Sequence, residues 1–133
     1  MPNPDARSGN PLSLFTRKGF ERFVTGLPGV TVHEQWDSLV AKVGGKVFAL
    51  VGDSGGNVVF KVSQVAFEGL TLLDGIGQAA YFAKGQWVSV EKGADIQERD
   101  LEAYLREAHR IIASKLTRKL REELGLDGAA TGL

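Results

Sequence analysis

The chain contains no cysteine. Disulfide bridges and thiolate metal sites are therefore excluded, and a reducing compartment is compatible with the sequence. Its two histidines, His33 and His109, are too few and too far apart in sequence to form a metal site by themselves. There is no net charge, because 16 basic side chains balance 16 acidic ones. Such a protein could bind nucleic acid only if its charges are segregated into a local patch. No run of about 18 apolar residues occurs, which excludes a transmembrane helix, and the polar stretch Met1–Asn10 lacks the apolar core of a signal peptide. A cytoplasmic location is the expectation. Also missing are G-x-S-x-G, G-x-x-x-x-G-K-[ST] and the third glycine that would turn Gly75-Ile76-Gly77 into a dinucleotide fingerprint. The sequence thus nominates no catalytic residue, no metal ligand and no cofactor, and the expectation is a protein that is not an enzyme.

What is present is enough apolar material for one packed core: 43% of 133 residues. A single domain over 1–133 is expected, with an ordered core over about 10–125 and loose tails over 1–9 and 126–133. The stretch Val40–Val62 organises it. Two apolar runs, Lys46–Val51 and Asn57–Val62, flank Gly52-Asp53-Ser54-Gly55-Gly56, the pattern of two strands around a reversal. A hairpin alone is marginal in water, so further strands and a helical cover are required. Phe48 and Phe60 are placed on the covered face.

The remaining elements read in order. Asn10-Pro11 predicts a helix start, and Leu12, Phe15, Phe20, Phe23, Val24 and Leu27 continue at helical spacing to Pro28-Gly29. Val30–Trp36 alternates as a strand, Asp37-Ser38 turns, and Leu39–Val43 is a second strand ending at Gly44-Gly45. A short helix is predicted over Gln64–Leu73, a loop over Asp74–Gly77, and strands over Gln78–Phe82 and Gln86–Val90 around Ala83-Lys84-Gly85. Asp95, with Glu98 three residues on, predicts the cap of one long helix whose apolar stripe runs from Leu101 to Leu124. The predicted fold is α+β: a two-layer sandwich in which an antiparallel sheet of about six strands is packed on one face by the N- and C-terminal helices.

Charge is segregated along the last helix. Between Arg106 and Arg121 six basic residues face Glu107 alone, with Arg106, Arg110, Arg118 and Arg121 opposite the apolar stripe. A solvated helix face is the ordinary explanation of such a pattern, and a phosphate-contacting surface the functional one. Trp36 and Trp87 read as core residues or, alternatively, as stacking platforms.

One ordered set of short motifs resembles a known family. Leu27-Pro28-Gly29, Trp36, Gly45-Lys46-Val47-Phe48-Ala49, Phe60-Lys61 and Tyr81–Val90, followed by a long helix, look like the MmcQ/YjbR family of small bacterial proteins. The resemblance runs from about Leu12 to Leu120. It implies a CyaY-like, frataxin-like fold and a DNA-binding role through hairpin wings. On that implication Lys46, Lys61, Lys84 and Trp87 on the sheet, with Arg110, Arg118 and Arg121 on the helix, are the candidate nucleic-acid contacts. The alternative is a protein or small-ligand binding module that uses the exposed sheet face around Trp36 and Trp87. Iron handling by analogy with frataxin is disfavoured, since Phe15–Phe23 carries Glu21 against Arg17, Lys18 and Arg22.

Overall fold

The computed structural model describes residues 13–52 and 56–126. The Asn10-Pro11 helix start and the Asp53–Gly55 reversal lie outside those residues. The first described helix, α1 (Arg17–Val24), starts later than the sequence predicts. Thr16 caps it, its hydroxyl accepting from the Gly19 amide at 3.0 Å, and residues 13–16 form a turn instead of helix. Six strands follow: β1 (Val30–Gln35), β2 (Ser38–Val43), β3 (Lys46–Gly52), β4 (Val58–Lys61), β5 (Ile76–Gln78) and β6 (Trp87–Val90). They form one antiparallel sheet in the order β1-β2-β3-β4-β6-β5. A short helix, α2 (Gln64–Leu70), connects β4 to β5, and α3 (Glu98–Ala113) and α4 (Arg118–Glu123) close the chain.

α1 and α3 pack on the same face of the sheet, as the element order predicts. Phe20, Val24, Leu101, Leu105 and Ala108 meet Leu39, Val51, Val58, Phe60 and Val88 there in one buried core. Phe48 and Phe60 are both fully buried. Phe48 reaches that face through a bulge. Ala41 pairs with Ala49, but Lys42 pairs with Val47, so Phe48 is the extra residue. Adjacent strand residues normally point to opposite faces, and the bulge lets Phe48 and Ala49 both join the core. His109 of α3 stands edge-on to Phe48 with ring centroids 5.4 Å apart, and its Nε2 donates to the Pro28 carbonyl at 2.8 Å.

Two further elements differ from the sequence reading. The last helix is broken at Ser114–Thr117, because the Thr117 hydroxyl accepts from the Leu120 amide and caps a new helix. α3 begins after Gln97, which makes no side-chain cap, and not after Asp95. Glu98 does not close a capping box. Its carboxylate accepts from the Ser13 hydroxyl at 2.9 Å and the Leu14 amide at 3.1 Å, which ties the N-terminal segment to α3. Finally, Ile76-Gly77 belongs to β5, while residues 79–86, read in part as a strand, form a loop.

The β2–β3 turn is held from outside. Gly44 and Gly45 both have left-handed backbones, φ 59° and 81°, as a two-residue hairpin turn requires. A Cβ on Gly44 would lie 2.6 Å from a Leu116 methyl carbon, whereas one on Gly45 would meet nothing within 4 Å. Gly45→Ala should therefore cost only the left-handed penalty, about 1–2 kcal/mol. Gly44→Ala should lose about 1–3 kcal/mol more to overpacking, read as the difference between urea unfolding curves. Equal losses would mean that Leu116 does not press on this turn.

Candidate functional site

The described helices leave the other face of the sheet uncovered, and its register can be followed strand by strand. His33, Val40, Leu50, Val59, Ser89 and Gly77 stand in one row across all six strands. Val40, Leu50 and Val59 are nonetheless buried, in a second cluster with Ala79, Val47, Phe82 and Trp87. The cover is the loop of residues 79–86. Phe82 lies on Trp87 with ring centroids 4.5 Å apart and an interplanar angle of 33°. Gln78 holds the loop in place: its amide nitrogen donates to the Ala79 and Phe82 carbonyls at 2.8 and 3.2 Å, and its oxygen accepts from the Gly85 amide at 2.9 Å.

Beside this loop the face opens into a groove of about 590 Å³. Leu50 and Val59 form its floor. Trp36, in the turn between β1 and β2, borders it on one side, and Ala80, Tyr81 and Phe82 border it on the other. A polar margin runs along it, because Ser38 pairs with Gly52, the Gly52 amide donates to the Asn57 carbonyl at 3.2 Å, and Asn57 Nδ2 donates to Ser89 Oγ at 2.7 Å. None of the described residues lining the groove is charged.

The backbone around the groove is strained. Among the described residues, three that are not glycine have left-handed backbones: Trp36 (φ 55°), Asp37 (φ 55°) and Tyr81 (φ 71°). Two of them are the aromatic walls, and the third completes the Trp36 turn. A two-residue hairpin turn with positive φ at both positions favours Asn-Gly, and a bulky aromatic there is an outlier. The result is exposure. Trp36 is 64% exposed and Tyr81 fully so, although both are large and hydrophobic. Sequence reasoning singled out Trp36, but it did not find Tyr81 or Gln78. Their roles depend on the loop conformation, and an isolated Gln or Tyr carries no signal of that.

The residues nominated for nucleic acid divide into two groups. Lys46, Lys61 and Trp87 lie at one end of the sheet, away from Ser38 and Gly52, and Lys84 joins them in the turn before Trp87. Lys61 is 6% exposed, and its Nζ donates to Gln86 Oε1 at 2.6 Å. Burial, with the nearby Lys115 charge adding to it, holds its ammonium below the usual lysine range. Trp87 is half-buried and covered by Phe82, so its ring is not the open platform expected of a base-stacking residue. The arginines are engaged separately. Arg110 is ion-paired with Glu107, whose carboxyl its hydrogen bond holds below the usual range. Arg118 pairs with Glu122 at 3.3 Å, and Arg121 donates to the Leu116 carbonyl at 2.7 Å. Among the described residues no three His, Cys, Asp or Glu side chains come together as a metal site, and no described helix is long and apolar enough to cross a membrane.

Comparison with known proteins places this architecture. Residues 25–111 match the sequence model of the YjbR family. The fold is similar to that of Deinococcus radiodurans protein DR2400, assigned to the domain family DUF419, with a TM-score of 0.77 and 23% identity over 87% of this chain and 91% of that one. It is also similar to a structural genomics target from Pseudomonas syringae, with a TM-score of 0.58 and 17% identity over 70% of this chain and 95% of the other. No curated protein matches the sequence.

Proposed function

The chain belongs to the YjbR family, and we propose that it works as a non-catalytic module that binds a small molecule in the groove between Trp36 and Tyr81. The observation that carries this reading is the coincidence of strain with exposure: of the three described non-glycine residues in left-handed conformations, Trp36 and Tyr81 line the groove and hold their aromatic rings in solvent. Backbone strain of about 1–3 kcal/mol per residue persists where the surroundings over-determine it, and it clusters at ligand clamps and active sites. The groove also has the size of small-molecule sites, about 300–1,000 Å³, with an apolar floor and a few convergent polar groups. Soaking crystals in a library of small fragments tests the reading. Fragments should concentrate between Trp36 and Tyr81. Fragments found elsewhere, for example between α1 and α3 beside Phe23 and Arg106, with the groove empty, would refute it.

A second reading, contact with DNA, is favoured by one arrangement. Lys61 and Lys115 lie close enough to repel, at the end of the sheet that also carries Lys46 and Lys84. Clustered ammonium groups are relieved by a polyanion. With zero net charge and the arginines already engaged, few phosphates would be neutralised. Binding should be weak and largely independent of sequence, with Kd on the order of 10⁻⁶–10⁻⁴ M at physiological salt. Fluorescence anisotropy of labelled duplex at two salt concentrations measures it. Lys84→Glu should weaken binding and flatten the salt dependence, and no binding at low salt would end this reading.

A further inference from the structure

We propose that the groove takes a neutral ligand built on a planar heteroaromatic ring, of the kind found in an unphosphorylated nucleoside or flavin. This inference rests on the groove being the binding site, and it adds the chemical class of the ligand. Three observations lead to it.

The first is charge. Among the described residues, the lining offers no cation to a phosphate or carboxylate and no carboxylate to an ammonium group. Lys46 and Lys61 belong to the opposite end of the sheet. Burying an unpaired charge in such a place is costly, so complementarity selects a neutral molecule. The second is shape. Trp36 and Tyr81 are exposed aromatic residues that line the groove together with Leu50 and Val59. Flat rings gain most from such walls, because stacking and apolar burial act together. The third is the placement of polar groups. Ser38 and Asn57 lie along one margin, and Ser89, in the row of Leu50 and Val59, stands next to Asn57. Asn57 spends an amide hydrogen on Ser89 and keeps its side-chain carbonyl oxygen, while the Ser89 hydroxyl keeps its hydrogen. An acceptor and donors side by side match the hydrogen-bonding edge of a nitrogen heterocycle. A sugar, with hydroxyls around its whole ring, would leave most of them facing Leu50, Val59 and Phe82. An extended peptide would find few partners for its backbone.

The test is an amide-resolved NMR titration of the whole chain with five probes: adenosine, riboflavin, AMP, maltose and a capped proline-rich peptide. Adenosine and riboflavin should both shift the amides of Gly52, Asn57 and Ser89 saturably, and AMP should bind no more than about twofold tighter than adenosine. Trp36→Ala and Tyr81→Ala change exposed side chains, so the spectrum should report an intact fold. Each should weaken the planar probes by about tenfold or more, in line with a stacking contribution of about 1–3 kcal/mol. Shifts from maltose or the peptide, with both planar probes silent, would overturn the ligand class and leave the groove in use. Silence from all five would overturn the class as well, and fragment soaking then decides separately whether the groove binds anything. AMP binding far tighter than adenosine would overturn neutrality, and unchanged affinity in both variants would overturn stacking.

Discussion

Among the described residues helices cover one face of this sheet, yet both faces carry apolar side chains. On the covered face Phe48, Phe60 and Val88 meet α1 and α3. On the other, Val40, Leu50 and Val59 would meet water, and apolar area left exposed costs roughly 25 cal/mol per Å². The chain meets this constraint with the loop of residues 79–86, which Gln78 clamps and whose Phe82 sits on Trp87. A loop of that length cannot cover six strands. The groove beside it is what remains, and the residues that border it are held out of the core by their own backbones. The candidate site therefore follows from incomplete cover, made into a defined shape by the Trp36 turn and the Tyr81 loop.

The rest of the fold keeps that shape fixed. The bulge at Phe48 sends two neighbouring residues into the core and leaves Leu50 on the groove side. Leu116 presses on Gly44, and Glu98 ties Ser13 and Leu14 to the start of α3, so both ends of the helical layer are anchored. Sites built on packed sheets are held more precisely than sites on free loops. Only the walls of this one are loop residues, and Gln78 constrains one of those walls.

Much of the fold was legible because it depends on local patterns. The antiparallel pairing of β3 with β4, the order of the elements, the shared face of α1 and α3 and the burial of Phe48 and Phe60 follow from apolar periodicity and turn residues. The site was legible only in part. Trp36 drew notice as an aromatic at a strand end, but alternation alone kept it in the strand. The register that pairs Gln35 with Ser38 moves it into the turn and into solvent. The helix break at Thr117 was hidden because its apolar stripe continues through Leu116 and Leu120. The basic face inferred from that stripe is interrupted there, and its arginines pair with Glu107 and Glu122 or with the Leu116 carbonyl. Lys61 alternates like a surface residue, but its strand is central, with β3 on one side and β6 on the other, so it is buried. Such facts depend on which strand lies beside which, and no spacing within the sequence encodes that.

The central claim is that the Trp36-Asp37 turn is kept for what it presents and not for the stability of the sheet. Replacing both residues together, Trp36→Asn with Asp37→Gly, gives the hairpin the pair that suits left-handed positions best. Urea unfolding of this double variant measures the claim directly. If strain is held at the turn, the variant should unfold at a higher urea concentration than the natural chain, by on the order of 1 kcal/mol or more. If its midpoint is unchanged or lower, Trp36 supports the fold where it stands, and the argument that its exposure serves binding is contradicted.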